Sequence, residues 1–159
     1  MILYFLRHGK ADPMDSKPDE VRQLTDEGRA ALRAAAPYWK ALGVKPDVVL
    51  TSPRQRAIDT ATLFIAGVGL AGAAVADEHL APDAKWPEIA RAIAPHGAAG
   101  SVMLVGHEPD LSRSVKHLTG AAVRLREGSV CRVEFRGSPE PGTGEITLLL
   151  DPDLYVARG

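Results

Sequence analysis

Three segments of the chain, 2–6, 47–51 and 101–105, each contain a continuous apolar run rather than an alternating pattern. Continuous runs of this length are typical of β-strands that are buried on both faces. Helical periodicity follows each of them, so strands and helices alternate along the sequence. This order predicts parallel strands joined by helices that cover both sides of a sheet.

The helical segments carry local start signals. Thr25 is predicted to cap the first helix, because its hydroxyl can accept from the first turn. Ser52 and Pro53 are predicted to supply the N-cap and the first turn of the second helix. Two further helices are expected at 86–93 and 111–118, where apolar residues recur at helical spacing.

The last third of the chain changes its period. Apolar and polar residues alternate over 131–136 and again over 146–150, across a turn rich in glycine and proline, which predicts an antiparallel pair. A short strand is also expected at 74–76. Together these patterns predict an α/β fold: a single-domain three-layer sandwich over 1–159, with a mainly parallel sheet, helices on both faces and the antiparallel pair at its edge.

The charge balance excludes several classes of partner. Nineteen Lys and Arg against twenty Asp and Glu give a formal charge of −1, so we expect no nucleic-acid partner, which usually requires a basic field. Cys131 is the only cysteine, which excludes an internal disulfide and suits a reducing compartment. The apolar start lacks the basic segment of a signal peptide. We therefore expect a cytoplasmic protein that does not bind membranes.

Histidines and arginines follow the apolar runs at the points where the predicted strands end. The first run leads into Arg7 and His8, the second into a loop with Arg54 and Arg56, and the third into His107. The carboxyl ends of parallel strands meet at one edge of a sheet, and the N-termini of the connecting helices point at that edge. The sequence therefore predicts an anion site there, suited to phosphate.

Four motifs resemble those of the histidine phosphatase (phosphoglycerate mutase-like) superfamily. They are R-H-G at 7–9, L-T-D-E-G at 24–28, S-P-R-Q-R-A at 52–57 and V-G-H at 105–107. The short chain, the S-P-x-x-R-A form and the G-H-x-P run at 106–109 are most similar to the bacterial phosphohistidine phosphatases of that superfamily.

The resemblance implies a role for each matching position. His8 is expected to be the nucleophile, forming a phosphohistidine intermediate that water then hydrolyses. Arg7, Arg56 and His107 are expected to hold the phosphoryl group, and no metal or cofactor is expected. The other candidates for binding phosphate or substrate lie within or near the motifs: Arg22, Gly9, Ser52 and Arg54. For Arg54, a solvated charge at the rim of the site is an open alternative.

The acid that would protonate a leaving group is less clear. Larger relatives carry a carboxylic acid after the third strand, and this chain does not clearly reproduce it. Asp83 and Glu78 are candidates, each with the alternative of a helix cap or a solvated charge. A missing acid favours phosphohistidine, whose leaving imidazole is far less basic than an alkoxide. The segment before 101–105 is also too short to contain the inserted segment that covers the site in relatives acting on small metabolites, so we expect an open site.

The expected activity is therefore a phosphatase that acts on phosphohistidine in a protein and releases phosphate. Two alternatives stay open at this point. One is a general phosphomonoesterase that acts on small phosphorylated molecules. The other is a non-catalytic module that binds phosphoproteins.

Two further patterns point to other chemistry, but with weaker support. G-x-G-x-x-G at 67–72 matches a dinucleotide fingerprint, yet it follows a predicted helix, whereas that fingerprint must follow a strand. A metal hydrolase is conceivable with ligands drawn from His8, Asp12, Asp15, His107 and Glu108. These residues lack the close spacing of helical metal sites, and arginines beside a cation would repel it.

Overall fold

The computed structural model describes residues 1–154, and the last five residues of the expected domain lie outside the described residues. The strands of this part are β1 (Ile2–Arg7), β2 (Val48–Thr51), β3 (Val75–Ala76), β4 (Ser101–Gly106), β5 (Val130–Glu134) and β6 (Glu145–Leu150). They form one sheet in the order β3-β2-β4-β1-β5-β6. The first four of these are parallel, and β5 is antiparallel to both of its neighbours. The mainly parallel sheet with an antiparallel edge is thus confirmed.

Helices cover both faces of this sheet. They are α1 (Asp26–Ala41), α2 (Gln55–Val68), α3 (Trp86–Ile93) and α4 (Asp110–Thr119). Buried residues of α1 and α2 form one apolar cluster with one face of the sheet, and those of α3 and α4 form a second cluster with the other face. The three-layer sandwich is therefore confirmed. Among the described residues, none of the helices has the length and apolar character needed to cross a bilayer.

The continuous apolar runs are explained by this double cover. In β1, Tyr4 and Leu6 belong to the cluster beneath α1 and α2, whereas Leu3 and Phe5 belong to the cluster beneath α3 and α4. All four side chains are buried. A strand in the middle of a three-layer fold has no solvent-facing side, so its sequence does not alternate between polar and apolar residues.

The start of α1 is as the sequence predicts, but the start of α2 is not. Thr25 Oγ1 accepts from the backbone N–H of Gly28 at 3.0 Å and so caps α1. The expectation that Ser52 caps α2 is wrong, because α2 begins at Gln55 and its N-cap position is Arg54. The Ser52 hydroxyl instead accepts from the Arg54 N–H at 3.2 Å, inside the turn that leads to the helix.

The glycine run at 67–72 has a structural role. Gly67 lies within α2 where that helix crosses α1, and a Cβ there would lie 2.5 Å from the Ala36 Cβ. Gly69 ends α2 in the left-handed conformation, with φ of 75°. The run therefore closes a helix instead of opening one after a strand, which is not the context of a dinucleotide fingerprint.

The register of the parallel strands sets the position of the predicted site. Arg7 pairs with Gly106 across β1 and β4, and Thr51 pairs with Val105 across β2 and β4. The residues that follow these pairs, His8, Ser52 and His107, therefore leave the sheet at the same edge.

Candidate active site

A cavity of about 540 Å³ opens at the carboxyl edge of the central strands. Most of the predicted phosphate-handling residues share it, together with carboxylates from four loops. Its lining includes Arg7, His8, Asp19, Arg22, Arg56, Asp83 and His107. The cavity thus joins residues that lie up to 100 positions apart in the sequence.

His8 lies directly after β1 and is held by its own backbone. Its Nδ1 lies 2.8 Å from the carbonyl oxygen of Gly9. A carbonyl oxygen can only accept, so Nδ1 carries the hydrogen and Nε2 keeps the lone pair. This contact fixes the tautomer that a nucleophilic imidazole requires.

The surroundings of His8 also keep the ring neutral. Burial lowers the pKa of His8 to about 4, and the charges of Arg56 and Arg7 act in the same direction. Because an imidazolium ion has no free lone pair, a low pKa keeps His8 nucleophilic throughout the neutral range.

His107 lies directly after β4, and its ring centroid is 5.2 Å from that of His8. Its Nδ1 is 3.3 Å from Arg56 Nη2, and its Nε2 is 2.7 Å from the Ser52 hydroxyl oxygen. A guanidinium only donates, so Nδ1 is the acceptor and Nε2–H donates to Ser52. Burial and the neighbouring His8 and Arg56 lower the pKa of His107 to about 3.

Arg7 and Arg56 bring buried donors to the cavity. Arg7 Nη1 donates to the Leu125 carbonyl at 3.0 Å, and Arg56 Nη1 donates to the Asp19 carbonyl at 2.9 Å. The Nε atoms of both arginines are buried, and neither has a hydrogen-bond acceptor among residues 1–154. Buried guanidinium donors without acceptors fit a site for a tetrahedral oxyanion.

Asp19 contacts several arginines, although nothing in its sequence context indicates this role. Arg22 donates to Asp19 Oδ1 from Nη2 at 2.8 Å, and Arg56 Nη1 lies 3.2 Å from the same oxygen. Arg22 Nη1 also donates to the Asp12 carbonyl at 2.9 Å. Although burial acts to raise the pKa of Asp19, its contacts with Arg22 and Arg56 outweigh burial and lower it. Asp19 is therefore an anion at neutral pH.

Three predicted phosphate or substrate contacts lie outside the lining of this cavity. Ser52 is fully buried, and its hydroxyl is engaged by His107 and Arg54. Gly9 is also buried, and its N–H donates to the Thr60 hydroxyl at 3.1 Å. Arg54 lies beside the cavity with its Nε 3.2 Å from Asp19 Oδ2. Each of them supports a residue of the site from behind or from the side.

The two candidate acids are separated by the structure. Asp83 lines the cavity, whereas Glu78 lines only an adjacent surface depression, which Asp83 also borders and which contains neither His8 nor His107. Asp83 has a backbone φ of 73°, which residues other than glycine rarely adopt. Its N–H donates to Asp110 Oδ2 at 2.8 Å, and Asp110 is itself buried. Asp110 was missed in the sequence because its partner lies 27 positions away.

Four of the five residues considered as metal ligands, His8, Asp12, His107 and Glu108, have hydrogen-bond partners within the described residues. Asp12 accepts from Lys17 at 2.8 Å, and both Glu108 oxygens accept from Ser112. In the part of the chain that the structure describes, no three His, Cys, Asp or Glu side chains are arranged to hold a metal ion. The other histidines lie away from the cavity: His79 and His117 are exposed, and His96 is half-buried.

Comparison with known proteins adds independent support for the fold. A structure of the protein histidine phosphatase SixA complexed with tungstate is 24% identical, with 97% of this chain and 99% of that one covered and a TM-score of 0.85. SixA from Agrobacterium tumefaciens is 21% identical, with coverages of 95% and 97% and a TM-score of 0.81. The α-ribazole phosphatase from Shigella flexneri is 17% identical, with coverages of 96% and 97% and a TM-score of 0.73. These structures share the fold with this chain.

Sequence comparison leads to the same group. A protein of Picosynechococcus sp. with no characterised function is 29% identical, with 98% of this chain and 94% of that protein covered. The family model described as the histidine phosphatase superfamily (branch 1) matches residues 3–81. That match includes the R-H-G and S-P-R-Q-R-A motifs, which supply Arg7, His8 and Arg56 to the cavity lining. By its sequence match and its fold, this chain belongs to the histidine phosphatase superfamily.

Proposed function

We propose that the protein is a phosphatase that forms a covalent phosphohistidine at His8 and acts on phosphohistidine in other proteins. One observation carries the proposal. His8 is a neutral imidazole with its hydrogen on Nδ1, and it lies in a cavity with three arginines and a second histidine. His8 provides the nucleophile, and the arginines provide the donors that a transferring phosphoryl group requires.

The reaction proceeds in two displacements at phosphorus. In the first, the His8 Nε2 lone pair forms the new N–P bond, the substrate P–N bond breaks, and its electron pair stays on the departing nitrogen. In the second, a water oxygen attacks phosphorus, the P–Nε2 bond breaks, and its electron pair returns to Nε2. The proton of the water passes to solvent, and phosphate is the product.

The site supports both displacements electrostatically. Charge on the three equatorial oxygens of the phosphoryl group needs fixed donors, and Arg7, Arg22 and Arg56 line the cavity. The Gly9 carbonyl accepts the hydrogen bond from His8 Nδ1–H. It thereby stabilises the positive charge that develops on the His8 ring when Nε2 becomes phosphorylated. These residues perform both steps without a proton donor for the leaving group.

Phosphohistidine is the substrate class that least requires a proton donor in this site. Its leaving group is an imidazole, whose second nitrogen can be protonated from solvent before the P–N bond breaks. The similarity to SixA, a protein histidine phosphatase, supports the same choice. The segment between α2 and β4 contains β3, α3 and 3₁₀ turns and adds no separate covering domain, which suits a protein-borne substrate.

The decisive experiment is a side-by-side phosphate-release assay with phosphohistidine, phosphoserine and sugar phosphate substrates. We expect phosphohistidine to have the highest kcat/KM by at least an order of magnitude. An alkaline quench of the reacting enzyme should retain phosphate on His8, and acid treatment should release it, as expected of a phosphoramidate. Release that is equally fast from all three substrates would contradict the proposed substrate.

A general phosphomonoesterase is the second candidate, because Asp83 lies in the cavity lining. A carboxylic acid in this position could donate a proton to an alkoxide oxygen, which phosphohistidine does not require. The two candidates differ in one measurable property, the dependence of the rate on Asp83.

A further inference from the structure

Three arginines converge on the carboxylate of Asp19. Its Oδ1 lies 2.8 Å from Arg22 Nη2 and 3.2 Å from Arg56 Nη1, and its Oδ2 lies 3.2 Å from Arg54 Nε. Asp19 begins a 3₁₀ turn, Asp19–Val21, in the loop between β1 and α1. A loop residue therefore supplies the negative charge for arginines that come from two different segments of the chain.

This cluster differs from an ordinary surface ion pair. The side chains of Arg22 and Arg56 are only 10% and 5% exposed, so their charges are shielded from bulk water. Asp19, Arg22 and Arg56 line the same cavity as His8. An anion bound beside His8 would therefore approach guanidinium groups that already hold an anion.

We propose that Asp19 is an internal counter-anion that competes with phosphate for Arg22 and Arg56, and so keeps the affinity for the product low. The catalytic part of this inference rests on the proposed phosphatase function, whereas the competition for the arginines does not. Asp19 acts through the arginines and is a positioning residue.

The competition follows from charge and from donor geometry. The carboxylate, whose side chain is 42% exposed, and a bound phosphate carry like charges beside the buried arginines, where their repulsion is screened less than in bulk water. Arg22 uses Nε and Nη2 toward Asp19 and Nη1 toward the Asp12 carbonyl, so few of its donors are left for phosphate oxygens. Phosphate must share these donors or displace the carboxylate.

Asp19 also has a favourable effect on catalysis. It holds Arg22 and Arg56 in place before substrate arrives, which reduces the entropy cost of ordering two long side chains. Loss of the carboxylate should therefore tighten the binding of free phosphate while slowing turnover. A residue with a merely structural role would weaken both.

The test is the dissociation constant of inorganic phosphate, measured by isothermal titration calorimetry on the full chain. For Asp19→Asn we expect phosphate to bind about five- to tenfold more tightly than to wild type, because one unit of negative charge is removed near the anion. Asp19→Ala should shift the constant in the same direction, which guards against an effect peculiar to the amide. With phosphohistidine as substrate, kcat should fall about tenfold in both variants.

Glu20→Gln is the matched control. It removes one negative charge from the adjacent position, but Glu20 is 62% exposed and lies 3.9 Å from Arg54, outside the cavity lining. We expect its phosphate dissociation constant and kcat to stay within twofold of wild type. An equal tightening in Glu20→Gln would show that net charge alone is responsible and would overturn the proposal.

Two outcomes separate this inference from the proposed function. Phosphate that binds to Asp19→Asn with unchanged or weaker affinity would overturn the counter-anion role, whatever the enzyme hydrolyses. A wild-type protein that releases no phosphate from phosphohistidine would contradict the proposed function. In that case the calorimetric comparison still decides the role of Asp19, because it needs no turnover.

Discussion

Arg56 Nη2 lies 3.3 Å from His107 Nδ1, and this contact assigns the two nitrogens of the His107 ring. Since a guanidinium cannot accept, the Nε2–H of His107 must donate, and Ser52 Oγ receives it at 2.7 Å. Arg56, His107 and Ser52 thus form a chain of hydrogen bonds from the cavity to a fully buried hydroxyl. The orientation of His107 in the site is set from behind the cavity.

Replacement of His8 by alanine is expected to abolish turnover and preserve the fold. The half-buried imidazole follows the end of β1 and contributes little to the apolar clusters, whereas it is the proposed nucleophile. The rate of phosphate release should fall by at least about 10³-fold. Circular dichroism should give an unchanged spectrum, and His79→Ala, at an exposed histidine, is the control. Retention of more than a few per cent of activity would show that His8 is not the nucleophile.

Replacement of Ser52 by alanine tests the orientation of His107. The change leaves a buried imidazole N–H without its acceptor, which should cost about 1–2 kcal/mol of unfolding free energy and lower kcat about tenfold. Ser101→Ala is the matched control, because it removes a buried serine hydroxyl at the opposite end of β4, where Ser101 bonds to Asp47. Chemical denaturation and steady-state kinetics should show similar stability losses, but a loss of kcat only for Ser52→Ala.

The stability of the protein is expected to fall on mild acidification. His8 and His107 have pKa values lowered from 6.5 to about 4 and about 3, so the unfolded chain binds more protons than the folded one below pH 6.5. The free energy of unfolding therefore rises with pH across this window. The contribution of the two neutral histidines to stability is lost as pH falls from 6.5 toward 4. Urea titrations at pH 7 and pH 4.5 measure the difference.

Variants should identify the groups behind this pH dependence. His107→Asn removes one of the two contributing imidazoles, so the difference in stability between pH 7 and pH 4.5 should shrink. His117→Asn removes an exposed histidine of α4 and should retain the wild-type difference. A wild-type unfolding free energy that is flat over this range would contradict the neutral, buried state of both site histidines.

Replacement of Asp83 by asparagine separates the two candidate substrates. Asparagine also tolerates the left-handed conformation at this position, so the variant removes an acid without adding backbone strain. Phosphohistidine turnover should stay within a few-fold of wild type, and the residual hydrolysis of alkyl phosphates should fall at least tenfold. Glu78→Gln, outside the cavity, is the control and should change neither rate. A large loss with phosphohistidine would show that Asp83 protonates the leaving group in that reaction as well.

The sequence was sufficient to predict the sheet and the central residues of the cavity. Continuous apolar runs identify doubly buried strands, and parallel strands bring their carboxyl ends together, so His8, Arg56 and His107 could be placed at one edge. Short-range signals were less reliable. Ser52 has the residue type and position of a helix cap, but its hydroxyl bonds to His107, which lies 55 positions away.

The carboxylates of the site could not be predicted, for a physical reason. Asp19 lies in a polar loop without periodicity, and its partner Arg56 is 37 positions distant in sequence. Asp110 has the appearance of an ordinary acidic residue in the first turn of a helix, whereas it holds the backbone of Asp83. Arg22 lies only three positions from Asp19, but the tertiary fold alone brings Asp19 to Arg56 and Asp110 to Asp83.

The central place of β1 in the sheet also affects how the site can open. Its backbone is paired on both sides and its side chains are packed on both faces, so its amides should exchange with solvent deuterium only through global unfolding. The loop that carries Asp19 is largely exposed and can open in local fluctuations. His8, the proposed nucleophile, therefore directly follows the segment that we expect to exchange most slowly, and Asp19 lies in a segment that we expect to exchange faster. If Asp19 is a counter-anion as proposed, evolutionary change in this loop would alter phosphate affinity without disturbing the position of His8.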